Sequence, residues 1–196
     1  MRIWALLLGV CLAGGVHAEP VVNAEKLKTF GTNSSNLIYV FTSPTCPHCA
    51  AYHEMILPTL KSRFADKGLA QIKIVDMGND VRAMAASQLG RCMTDTQYEA
   101  FMEKVYQNQS DWAYQDGYEE KLKNYAIEAG LNKKSQERCL ANKHLASTIL
   151  EQRNNLGQLY RVTGMPTTIV VQGVSRKSFL GADPMIIPEV EKLLDK

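Results

Sequence analysis

Apolar and polar positions along this chain follow two rhythms, and the changes of rhythm divide it into elements. Near the start, Asn23 can cap a short helix over Ala24 to Phe30, which Gly31 would end. The run Asn36-Leu37-Ile38-Tyr39-Val40-Phe41 is apolar, β-branched and aromatic, with polar turn residues on both sides, and it predicts a buried strand. Thr42-Ser43-Pro44-Thr45 breaks it. From Cys46 the spacing turns helical, with Ala50, Ile56, Leu57, Leu60 and Phe64 mostly on one face. Thr45 offers an N-cap, Pro47 sits in the first turn where its missing N–H is harmless, and Pro58 should kink the helix. Ala70 to Val75 alternates as a second strand.

Residues 80 to about 160 carry no convincing strand pattern. Apolar residues there recur at spacings of three and four (Val81, Met84, Ala85, Leu89; Phe101, Val105; Leu122, Tyr125, Ala126), with glycine stops at Gly90, Gly130 and Gly157. The strand signal returns at Thr167–Val171 and at Lys177–Leu180, and a last helix runs from about Asp183 to Leu194. The order is β, helix, β, a long helical stretch, a β-hairpin and a helix. That predicts an α/β sheet with its helices concentrated in one insertion. No internal repeat or low-complexity segment interrupts it.

Composition changes this picture little. Of the 196 residues, 45% are hydrophobic and 21% charged, and the net charge of +2 is spread over both signs. Nothing in it marks a nucleic-acid surface or a polybasic membrane patch. The first residues matter more. Arg2, an apolar stretch from Ile3 to Ala13 and the small-residue pattern Val16-His17-Ala18 read as a signal peptide over 1–18, cut before Glu19. A lipoprotein signal with Cys11 lipidated is disfavoured, because Val10 precedes that cysteine and the apolar run would be very short. Removing 1–18 leaves four cysteines, Cys46, Cys49, Cys92 and Cys139, an even number suited to two disulfides in an oxidising compartment. Three pairings are open.

Cys46-Pro47-His48-Cys49 carries the chemistry, and its spacing suits haem attachment, zinc or redox exchange. Haem attachment needs a histidine directly after the second cysteine, where this chain has Ala50. For zinc, Cys46, Cys49 and His53 make a C-x2-C-x3-H start, completed by Cys92, Cys139, His144 or a carboxylate. Closed zinc sites use paired ligand clusters, and neither Cys92 nor Cys139 has a partner of that kind. Redox exchange accounts for more of the local detail. Cys46 in the first helical turn faces unpaired amides and the positive end of the helix, both of which favour a thiolate, and a protonated His48 adds to that field. A stabilised reduced form makes the disulfide an oxidant. Roughly 120 residues on, Gly164-Met165-Pro166-Thr167 opens a strand, where a proline is awkward unless its peptide is cis or it lies at an edge.

CPHC after a buried strand, GMPTTIVV, and the segments LGRCMTDTQYEAFMEKVYQNQSDW and YAIEAGLNKKSQERCL together resemble the DsbA family of thiol:disulfide interchange proteins, in its branch with a compact helical insertion. The likeness covers nearly all of residues 19–196. It implies a thioredoxin-like fold over 19–79 and 160–196, with the helical insertion at 80–159 between the second and third strands read above. By the same resemblance, Cys46 is the exposed nucleophile and Cys49 the buried resolving thiol. Pro47 and His48 tune the potential, and Met165 and Pro166 form the substrate-facing loop. The pairing it implies is Cys46–Cys49 and Cys92–Cys139. The second disulfide would be structural and close a loop of roughly 47 residues, worth about 4 kcal/mol in the chain-entropy model.

No cofactor beyond the reactive disulfide is implied. The implied setting is the periplasm, with reduced exported proteins as clients and a membrane quinone-linked oxidase of DsbB or VKOR-like type as regenerating partner. The implied form is a monomer, since the 17 residues Glu19–Ser35 are too few for the extra N-terminal domain through which isomerases of the superfamily dimerise. One departure stands out: where the family often buries an acid in the strand before the motif, this chain has Val40. Two rivals remain, an isomerase or reductase kept reduced by a membrane donor, and a non-catalytic holdase that grips unfolded chains around CPHC.

Overall fold

Five strands form the sheet in this computed structural model, which describes residues 25–194. The leader expected over 1–18, Cys11 and Asn23 lie outside the described residues. Their order is β1-β3-β2-β4-β5, with β1 at Lys28–Phe30, β2 at Leu37–Thr42, β3 at Gln71–Asp76, β4 at Thr167–Gln172 and β5 at Ser175–Leu180. β2 and β3 run parallel, and every other pairing is antiparallel. β2, the continuous apolar run, and β3, the alternating one, lie inside the sheet, where both faces are covered.

One expectation fails here. Residues 28–30 form an edge strand against β3, with Lys28 opposite Ile74 and Phe30 opposite Ile72, where the spacing pointed to a helix. Three residues are too few for a rhythm to decide, and the open edge of β3 supplies hydrogen bonds that no local pattern records. Lys28 is drawn inward, its ammonium bonding the Met93 carbonyl and lying 3.5 Å from Asp95. Gly31 does stop the element. It adopts φ +89°, and a Cβ there would fall 2.9 Å from the Ala70 carbonyl oxygen.

After β2 come α1 (Pro47–Met55), α2 (Leu57–Leu60) and a π-helical turn at Lys61–Ala65. The break at Ile56 precedes Pro58, as expected of a proline without an amide donor. Between β3 and β4 the described chain is helical: α3 (Val81–Arg91), α4 (Asp95–Gln107), α5 (Gln109–Trp112), α6 (Tyr118–Glu128), α7 (Lys133–Leu140) and α8 (Lys143–Tyr160). Polar caps begin several of them. Asp80 accepts from the Arg82 and Ala83 amides, Thr94 and Gln97 form a capping box, and Asn132 and Asn142 cap α7 and α8. The last helix, α9, spans Ile186–Leu194.

The two faces of the sheet are buried differently. Ile38, Val40, Ile72, Ile74 and Val170 join one large core with Tyr52, Ile56 and Leu60 of the first helices, Ile186 and Val190 of α9, and Phe101, Val105 and Trp112 of the helical stretch. On the other face Phe41, Val75 and Ile169 pack with Leu156 and Tyr160 of α8. Cys92 and Cys139 are joined by a disulfide that links the ends of α3 and α7. Beneath them Arg91 and Asp76, both almost completely buried, form an ion pair at 2.6 Å, and Arg91 also donates to the Lys26 carbonyl. Replacing the arginine strands a buried carboxylate. Arg91→Ala should cost about 3–5 kcal/mol, read by urea denaturation, and a loss below 1 kcal/mol would show that water reaches Asp76.

Candidate active site

The chain leaves the sheet at Thr42 and turns at once, the Cys46 amide donating to the Ser43 carbonyl at 3.1 Å. Cys46 itself is the N-cap of α1, with extended backbone, and its carbonyl accepts the Cys49 and Ala50 amides at 3.0 and 3.1 Å. The expected cap, Thr45, does something else: its hydroxyl donates to Asp80 at 2.6 Å. The turn at 43–46 brings Cys46 to the helix start one residue later than propensity suggests. Pro47 occupies the first turn, and no carboxylate in that turn opposes the positive end of the helix.

Two residues, Pro47 and His48, separate two different environments. Cys46 is partly exposed and Cys49 fully buried, both as free thiols, and His48 between them faces solvent. Burial pushes the Cys49 thiol up to about 12, although the Ser43 amide, 3.4 Å from its sulfur, and the Thr42 hydroxyl both favour its charged form. The Cys46 thiol points at the Met165 carbonyl at 3.9 Å, across 119 positions of sequence. The Met165–Pro166 peptide is cis, and Pro166 is buried where β4 begins. Tyr52 on α1 and Thr168 on β4 bond at 2.6 Å and hold helix and strand together below the sulfurs. CPHC and the Met165–Pro166 loop therefore meet, whereas Cys92 and Cys139 lie apart from them on α3 and α7.

Sequence reasoning missed the groups that hold the turn. Gln109, buried in α5, donates through Nε2 to the Pro44 carbonyl at 2.7 Å and the Cys46 carbonyl at 3.1 Å. The Tyr114 hydroxyl donates to the Thr45 carbonyl at 2.7 Å. Three consecutive carbonyls before the helix are thus gripped by two side chains of the helical stretch. From the β3–α3 connection, Asn79 accepts from Ser43 and Asp80 from Thr45. No spacing announces contacts made over 60 positions. Only the turn itself, with buried carbonyls that need partners, hints that such residues exist.

His53, the tempting zinc ligand, lies on the flank of α1 that faces α4. Its ring stacks on Tyr106 with centroids 3.8 Å apart, and its Nε2 is buried without a hydrogen-bond partner. Among the described residues no cluster of three or more histidine, cysteine or carboxylate groups is placed to hold a metal. Burial, then the nearby Lys61 charge, push His53 down to about 3.

Comparison with known proteins agrees with this geometry. A family model described as thioredoxin matches residues 29–195. A protein of Rickettsia prowazekii (strain Madrid E), provisionally named a protein-disulfide oxidoreductase, is 29% identical over 168 residues, which cover 85% of this chain and 59% of that one. A similarly named protein of Rickettsia conorii (strain Malish 7) is 30% identical over 142 residues, 71% of this chain and 51% of that one. The chain thus spans 59% or less of the length of these two curated relatives. Among solved structures, Wolbachia pipientis alpha-DsbA1 superimposes with a TM-score of 0.77 at 20% identity, covering 90% of this chain and 93% of that one. Oxidised BdbD from Bacillus subtilis gives 0.70 at 21%, covering 89% and 96%. At such identities the likeness is one of fold.

Two outcomes are expected. Gln109→Ala leaves the buried Pro44 carbonyl bare, so it should cost about 1–3 kcal/mol in urea denaturation and change the rate at which iodoacetamide alkylates Cys46; unchanged values on both counts would remove Gln109 from the site. His53 stays neutral in the folded chain but takes a proton near 6.5 in the unfolded one. Stability should therefore fall as pH drops from about 6.5 toward 3, by up to about 1.4 kcal/mol per pH unit. His53→Phe keeps the stacked ring and should flatten that slope; equal slopes would mean that the folded ring accepts the proton.

Proposed function

The chain belongs to the thioredoxin family, and within it we propose an exported thiol:disulfide oxidoreductase that introduces disulfides into exported proteins. The observation that carries this reading is the contrast between the two sulfurs. Cys46 is reachable at a helix N-terminus beside the Met165 carbonyl, while Cys49 is dry and held protonated. In the oxidised protein the two would form one disulfide. A client thiolate attacks Cys46 Sγ, the Cys46–Cys49 bond breaks, and Cys49 leaves with the electron pair and takes up a proton. The client is then bound to Cys46 by a mixed disulfide. A second client thiolate attacks the client's own sulfur, closing the client disulfide and releasing Cys46 as a thiolate. Two electrons have passed from the client dithiol to the Cys46–Cys49 pair.

Each site residue has a part in this scheme. The helix-start field, with Pro47 and His48 within it, lowers the free energy of the departing Cys46 thiolate and so makes the disulfide an oxidant. Met165 and Pro166 form the loop beside the Cys46 sulfur along which an extended client segment lies while it is bound to Cys46. Cys92–Cys139 is structural. The setting is the periplasm, the protein acts as a monomer, and a membrane quinone-linked oxidase restores the disulfide. Among the described residues no helix is long and apolar enough to cross a membrane.

Equilibration with glutathione tests the direction of exchange. The Cys46–Cys49 potential should lie well above the roughly −270 mV of thioredoxin, toward the roughly −120 mV of a strong oxidant. The oxidised protein should also close a dithiol peptide, and Cys46→Ala should abolish this. A potential near thioredoxin's, or activity that survives Cys46→Ala, would overturn the reading in favour of a reductase or a holdase.

A further inference from the structure

Cys49 acts from a place that solvent does not reach. Each time it leaves or attacks, its sulfur carries a full charge in the core, and a charge there is costly unless a donor meets it. The Ser43 amide is such a donor, its nitrogen 3.4 Å from Cys49 Sγ. An amide keeps its hydrogen, so it solvates the thiolate without protonating it. Its effect depends on its direction, and its direction depends on what holds residue 43.

Ser43 is fully buried, and its hydroxyl belongs to a network whose polarity can be read from one carboxylate. Asp80 caps α3 by accepting the Arg82 and Ala83 amides at 2.9 and 2.8 Å, and as a carboxylate it only accepts. Thr45 Oγ1, 2.6 Å from Asp80 Oδ2, therefore gives its hydrogen to that oxygen. Asn79 Nδ2 donates to the same oxygen at 3.2 Å, which turns Asn79 Oδ1 toward Ser43. The Ser43 hydroxyl has Thr45 Oγ1 at 3.2 Å on one side and Asn79 Oδ1 closer on the other, and it donates to the amide oxygen. The aim of the Ser43 amide thus leads back through Asn79 and Asp80 to the start of another helix.

We propose that Asn79 is a positioning residue for the exchange: by holding the Ser43 hydroxyl it keeps the Ser43 amide aimed at Cys49 Sγ, and so governs how fast Cys49 departs and returns. This rests on the exchange scheme given above. When a client thiolate attacks Cys46 Sγ, the electron pair of the breaking Cys46–Cys49 bond passes to Cys49 Sγ, where the amide meets it. When the disulfide closes again, Cys49 gives its proton to solvent. Its thiolate, under the same amide, attacks Cys46 Sγ and expels the thiolate bound there. Neither Asn79 nor Ser43 gains or loses a proton in either direction. A turn that merely loosened would disturb Cys46 as well, because the Cys46 amide donates to the Ser43 carbonyl at 3.1 Å. A misdirected Ser43 amide acts on Cys49 alone.

Stopped-flow mixing of the reduced protein, its Cys92–Cys139 bond left closed, with excess dithiodipyridine separates the two sulfurs. Attack by Cys46 forms a mixed disulfide at a rate proportional to the reagent. Attack by Cys49 then expels a second thiopyridine at a rate independent of it. Asn79→Ala and Ser43→Ala should each slow the second phase at least about fivefold, the loss of a directed bond to a charged sulfur, and leave the first within about twofold. Both side chains act through one bond, so the double variant should be no slower than the single ones. A second phase at the parent's rate in Asn79→Ala would overturn the proposal. Equal slowing of both phases, or a double variant in which the two effects multiply, would overturn it too. Should Ser43→Ala fail to fold, Asn79→Ala, a change at an exposed side chain, decides by the split between phases. A parent protein that stays a mixed disulfide at Cys46 would instead refute the exchange scheme itself.

Discussion

Two sulfurs within one helical turn have to occupy opposite surroundings, one reachable from solvent and the other sealed from it, and the fold is arranged around that demand. A helix that began farther from the sheet would expose both, and one that began inside the sheet would bury both. Here β2 ends at Thr42 and the turn of Ser43 to Cys46 lifts the chain just clear of the strand ends. One turn of α1 then returns Cys49 to the core beside Tyr52 and Val40. The partition by dielectric follows from backbone geometry, with side chains refining it.

So tight an exit from a sheet buries backbone carbonyls that no helix or strand can satisfy. Their partners come from distant parts of the chain, Gln109 and Tyr114 from the helical stretch, with Asn79 and Asp80 bracing the neighbouring hydroxyls. Asp80 also caps α3, so its carboxylate is shared between a helix start and the turn. The helical stretch is therefore more than a cover over the sheet. It completes the hydrogen bonding of the segment that carries the sulfurs.

The parts of this structure that were readable in the sequence are those written in local pattern. β2 announces itself by a continuous apolar run, β3 by alternation, Pro166 by its position at a strand start, and the break in the first long helix by Pro58. Reading failed where long-range contacts outweigh short signals. Leu27 and Phe30 suit a helix as well as a strand, and only the open edge of β3 selects the strand. Thr45 is a better cap by propensity than Cys46, yet Asp80 claims its hydroxyl. Val40 marked a missing acid without hinting that Ser43 and Asn79 meet close by, because their meeting depends on how the β3–α3 connection lies against the turn.

The grip on the three carbonyls of residues 44–46 bears on how separable the parts of this protein are. A tetrapeptide of two cysteines looks portable, the sort of motif that could be moved to any sheet followed by a helix. Here its backbone is finished by residues more than 60 positions away, and a graft would carry the sulfurs while leaving their supports behind. Sheet and helical stretch are for this reason bound to vary together: drift in α5 is felt at the turn as directly as drift in the turn itself.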